Sequence, residues 1–119
     1  MDDSKSNLQK DLGLNHEKKK ELHTLLMKLK NLSHSERKVY FVSIPKQELI
    51  LISEIVLNFL NDRFHVPAFK FKLLKRIKNS IRKLADKKVS LKNKRIILSS
   101  IKGLQIINIL LPIVLEILL

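Results

Sequence analysis

The chain has no cysteine and no tryptophan, and only two glycines and three prolines in 119 residues. Without thiols there is no disulfide framework, no thiolate zinc site and no thiol nucleophile. So few turn-forming residues leave little room for strands and hairpins. No glycine-rich phosphate loop or nucleophile elbow occurs. Of the four histidines, His16 and His23 are spaced to share a helix face, but no carboxylate or third ligand is placed to complete a metal site. His34 and His65 stand alone, and the acids show no pairing that suggests general acid and base. No catalytic constellation, metal or cofactor is expected. The first thirty residues are polar with scattered leucines, lacking the apolar run of a signal peptide.

Acids are the scarcest of the common groups: eleven against 24 Lys and Arg, for a net charge of +13. The excess is concentrated. Residues 68–102 hold thirteen Lys or Arg and one acid, Asp86, which leaves +12 in 35 residues. A charge this far from zero repels itself and seeks anionic partners. Solvated helix faces normally interleave acids for pairing along the helix. A block with one acid suggests cations held for phosphate, whose contacts release condensed counterions and bind less tightly as salt rises.

Leu, Ile and Lys dominate, and the length allows one domain at most. The expected fold is all-α, with four to six short helices. Residues 1–14 read as a disordered leader, 15–67 as a small helical domain, 68–102 as a basic helical block and 103–119 as a hydrophobic tail. Leu22, Leu25, Leu26, Leu29 and Leu32 predict an amphipathic helix over 17–32, with Asn15 a candidate cap. Ser33 and Glu36 fit a capping box opening a second helix. Pro45 suits the first turn of a third, apolar almost all round and running to residue 61. This central helix is expected to pack with the first helix and the tail, leaving the basic helices on one side. Asn61 and Asp62 would close it, and Pro67 marks a boundary.

In the basic block Leu74, Ile77, Ile81 and Leu84 form one narrow seam of a single helix. Ser90 offers the cap of a second, from Leu91 to residue 102, with Gly103 as its stop. The candidate nucleic-acid residues are Lys72, Lys75, Arg76, Lys78, Arg82, Lys83, Lys87, Lys88, Lys92, Lys94 and Arg95. Base-specific reading is not expected. The block has only Phe69 and Phe71 as stacking aromatics, both better suited to a core, and only Asn79 and Asn93 for base edges. Non-specific binding to double-stranded DNA is the leading expectation.

The tail is aliphatic, but Gln105, Asn108 and Pro112 interrupt it between Lys102 and Glu116, short of the roughly 20 apolar residues of a spanning helix. Pro112 is expected to interrupt the helix. Leu104, Ile107, Leu111, Val114 and Leu118 are the candidate contacts to a membrane or partner; the other role is closing the chain's own core. An alternative function is therefore action on an anionic membrane, lying in its interface through residues 96–119. The basic flank would add about 1 kcal/mol per nearby cation. A third is docking of the tail in a capsid protein.

The run KRIKNSIRKLADKKVSLKNKR, from Lys75 to Arg95, resembles the basic core of a small protein of adintoviruses and related Maverick/Polinton elements. That protein is itself compared with the adenoviral minor core protein X, or mu. The family phrase is close to LADKK-hydrophobic-SLKKKRK, and Leu84 to Arg95 reads LADKKVSLKNKR. The resemblance extends over about residues 45–119. It implies a non-enzymatic protein of the virion core that helps condense packaged double-stranded DNA; the basic clusters Lys75-Arg76 and Lys87-Lys88 add the host nucleus to the expected locations. It carries over Lys75, Arg76, Arg82, Lys83, Lys87, Lys88, Lys92, Lys94 and Arg95. Two features depart from the family: a lone Gly103 followed by Leu104 replaces paired glycines with Phe-Leu, and Glu116 sits in the tail.

Overall fold

The computed structural model describes residues 14–61 and 68–118, with the side chains of 68–71 and the expectations placed on Asp62, His65, Pro67, Phe69 and Phe71 outside them. The proposed leader also lies outside, apart from Leu14, which is partly buried against the core. The fold is all-α. Among the described residues there are seven helices: α1 His16–Lys30, α2 His34–Val42, α3 Lys46–Leu60, α4 Ala68–Arg76, α5 Lys78–Ala85, α6 Leu91–Leu98 and α7 Ile101–Leu118.

The count exceeds four to six because the first basic helix is broken. Ile77 leaves helical geometry (φ −113°, ψ 23°) between α4 and α5. Its N–H donates to the Leu74 carbonyl at 3.2 Å, a tighter turn than the α-helix makes. The seam survives the break, since Leu74, Ile77, Ile81 and Leu84 are all buried.

Local signals place the helix starts. Asn15 accepts from the Lys18 N–H at 2.8 Å and caps α1. Ser33 and Glu36 form the reciprocal capping box of α2, at 3.2 and 2.8 Å. Pro45 stands at the N-cap position of α3, where its missing N–H has no helical partner to lose. Ser90 caps α6 by accepting from the Asn93 N–H at 3.1 Å.

One core joins all of these segments. Helix α3 buries Leu49, Leu51, Ile52, Ile55 and Val56. Its most extensive neighbour is α5, with α1 and α6 also against it. The basic helices are thus walls of the core. The tail helix α7 packs on α1 and α6, and on α5 and α2.

Gly103 is not a stop. Helix α6 ends at Leu98, and Ser100 starts α7 by accepting from the Gly103 N–H at 3.2 Å. Gly103 is buried in the first turn of α7. A Cβ there would lie 2.0 Å from the Ile97 carbonyl oxygen and 2.5 Å from the Leu98 Cα. Glycine allows the two helices to turn back on each other at this distance.

Nor does Pro112 interrupt the tail, which is one helix from Ile101 to Leu118. Pro112 is exposed, as is Asn108, whose carbonyl loses its partner to the proline. Water can take that carbonyl, and the helix continues.

These two positions give opposite expectations. Gly103→Ala forces backbone apart and should cost about 1–3 kcal/mol, lowering the thermal midpoint. Pro112→Ala restores a hydrogen bond on an exposed face and should raise it. Thermal denaturation followed by circular dichroism measures both; a neutral Gly103→Ala would refute the close packing of α6 on α7.

Candidate nucleic-acid interface

The basic surface follows from the buried seam. With Leu74, Ile77, Ile81 and Leu84 turned onto the core, the polar positions between them must face water. Lys72, Lys75 and Arg76 on α4, with Lys78, Arg82 and Lys83 on α5, are all exposed. The turn between α5 and α6 adds Lys87 and Lys88, and the first turn of α6 adds Lys92.

That turn is built by the block's one acid. Asp86 accepts from the Lys88 N–H at 2.9 Å through its side chain and from the Val89 N–H at 3.2 Å through its carbonyl. Its carboxylate is committed to its own backbone, the local bond that aspartate forms in turns.

Two of the eleven expected residues face inward. Lys94 is 5% exposed and its Nζ donates to Ser53 Oγ at 3.2 Å. Arg95 donates from Nε to the Ile44 carbonyl at 2.9 Å, tying α6 to the linker before α3. Both hold the fold together, which leaves nine cations on the surface. Burial holds the Lys94 ammonium below the usual lysine range, an effect partly offset by the charge of Asp86.

Three carboxylates elsewhere among the described residues have other partners. Glu54 pairs with Lys18 at 3.2 Å and Glu48 with Lys28 at 3.5 Å. Tyr40 donates to Glu48, and the Lys28 ammonium donates to Tyr40 at 3.1 Å while lying 5.0 Å from its ring centre. The Tyr40 hydrogen bond comes first among the causes that raise Lys28, and burial first among those that raise Tyr40. Glu36 is lowered by the Ser33 backbone N–H it accepts from. Among the described residues, none of the nine surface cations forms a salt bridge.

The tail residues are accounted for within the molecule. Leu104, Ile107, Leu111 and Val114 are buried in the chain's own core and Leu118 is partly buried against it. The exposed positions Lys102, Gln105, Asn108, Pro112 and Glu116 form one narrow stripe. Arg37 reaches it from α2, donating from Nε to the Leu29 carbonyl at 2.8 Å and from Nη1 to Asn108 Oδ1 at 3.3 Å. By length and composition α7 is the one described helix that could cross a membrane, and half of it is buried inside the fold.

His16 and His23 do share a face of α1, beside Ile117 and Leu118. Among the described residues no three His, Cys, Asp or Glu come together as a metal site. A cavity that no motif marked lies between α3 and the α5–α6 turn, with Lys46 and Lys94 on its wall. Lys46 is far from the basic block in sequence and gave no signal. Comparisons with family models, curated proteins and solved structures found no match to this chain.

The inward lysine sets a pH dependence. Its folded-state pKa is depressed, so between that value and the ordinary lysine value the unfolded chain binds more protons. Stability should therefore rise with pH across this window. Urea unfolding from neutral pH to about pH 10 should show the wild type gaining on Lys94→Met. Parallel curves would mean that Lys94 titrates as a solvated lysine.

Proposed function

We propose that this chain is a non-catalytic, sequence-independent binder of double-stranded DNA that condenses it as a core protein of a virus or mobile element. The observation that carries the reading is the surface of nine cations on α4, α5 and α6, none of them in a salt bridge among the described residues. A fold that keeps like charges together without counter-charges holds electrostatic free energy that a polyanion releases. Duplex phosphates supply such charge at regular spacing and yield counterions on binding. The phrase from Leu84 to Arg95 supports the viral or mobile-element setting, and with it the virion core and host nucleus.

The alternative, action on an anionic membrane, has the length and composition of α7 in its favour. Insertion would require Leu104, Ile107, Leu111 and Val114 to leave the core. Each buried aliphatic side chain is worth about 1.5–3 kcal/mol where it is. Docking of the tail in a capsid protein carries the same cost. The basic surface needs no such rearrangement to meet DNA.

Electrophoretic shift on random duplex DNA tests the proposal. Binding should be tight at low salt and fall linearly in log–log form, with a slope of about −0.9 for each phosphate neutralised. Changing Arg82, Lys83, Lys87 and Lys88 together to Gln should flatten that slope by about 0.9 for each phosphate left without its cation. Binding that ignores salt, or is absent at low salt, refutes it. Vesicle flotation tests the alternative: with α7 packed, any flotation with anionic vesicles is electrostatic and should be lost as salt rises. Flotation that survives high salt, or that occurs with zwitterionic vesicles, would point to the tail as an anchor.

A further inference from the structure

The open cavity between α3 and the α5–α6 turn has a volume of about 460 Å³. Four of its lining residues are lysines that arrive from three directions: Lys46 at the start of α3, Lys87 and Lys88 from the turn, and Lys94 from α6. Glu54 is its one lining carboxylate, and Lys18 already pairs with it at 3.2 Å.

Lys94 sets this cavity apart from the rest of the basic surface. An ammonium has three donors, and in its buried position this one meets a single acceptor among the described residues, Ser53 Oγ. No described carboxylate lies within ion-pairing distance of it, and Asp86 acts on it only through space. A buried charge held by one neutral hydroxyl is costly unless something else compensates it. Ser53 accepts from Lys94, so its own proton remains to donate into the cavity.

We infer that this cavity is a seat for a phosphoryl group, with Lys94 and Ser53 at its base and Lys46, Lys87 and Lys88 around its mouth. A tetrahedral, multiply charged oxyanion can accept from donors on several sides at once, and charge-assisted bonds of this kind are roughly twice as strong as neutral ones. The volume leaves room for whatever carries the phosphoryl group. The seat holds equally for a backbone phosphate of DNA and for a small free phosphate compound. It does not depend on the DNA reading, because it is assayed without DNA.

The test is titration of the full chain with inorganic pyrophosphate at low salt, followed by amide chemical shifts and calorimetry. Saturable shifts should centre on Ser53, Val89 and Ser90. Lys94→Met should weaken the affinity at least tenfold, and the exposed pair Lys87→Gln with Lys88→Gln severalfold, while Lys38→Gln, exposed on α2, leaves it unchanged. The exposed pair keeps the test decisive even if Lys94→Met does not fold. Shifts that never saturate, that spread evenly over the basic helices, or that ignore both sets of variants would overturn the seat. A parallel DNA arm identifies the source. Loss of DNA affinity in Lys94→Met, with competition by pyrophosphate, assigns the seat to backbone phosphate; unchanged DNA binding assigns it to a free compound.

Discussion

The structure depends on one contact: the buried seam Leu74, Ile77, Ile81 and Leu84, whose α5 part packs on the central helix α3. Helices carrying this much like charge repel themselves and would gain little from folding alone, since short helices are marginal without tertiary packing. Burying four aliphatic side chains in the common core supplies the compensating free energy. It also fixes the rotation of α4 and α5. The polar positions off the seam are driven outward, and the cations of α4 and α5 are among them.

The basic segment is consequently part of the scaffold. The run from Leu84 to Arg95 shows this residue by residue. Leu84 and Ala85 are buried, Asp86 shapes the turn, Ser90 caps α6, and Lys94 and Arg95 anchor it to α3 and the linker before it. Lys87, Lys88 and Lys92 alone among its cations remain on the surface. A phrase that reads as charge is, in the fold, a joint between two helices with charge on its outer side.

Much of the fold was legible because its signals are local. Asn15, Ser33 with Glu36, and Ser90 each act within one helical turn, and each does what its spacing announced. The seam was legible as spacing too, although the break at Ile77 was not, because it is a tertiary accommodation with no breaker residue to mark it. Gly103 misled for a related reason. A glycine after a helical run is usually a C-cap, and only the approach of the Ile97 carbonyl shows that this one serves close packing. Pro112, Gln105 and Asn108 looked like flaws in a hydrophobic tail, yet they lie with Lys102 and Glu116 on the one stripe of α7 that faces water. Among the basic residues, the inward-facing Lys94 and Arg95 could not be told from their neighbours, since burial is decided by which helix face meets α3 and the linker before it.

The inward position of Lys94 also divides the molecule chemically. Seven lysines of the interface, Lys72, Lys75, Lys78, Lys83, Lys87, Lys88 and Lys92, stand open on the surface to any acylating enzyme, whereas Lys94 lies at the base of its cavity. Acetylation would strip most of the positive charge from the surface without touching a residue that holds the helices together. Grip on a polyanion could thus be graded, and even withdrawn, in a chain that stays folded throughout.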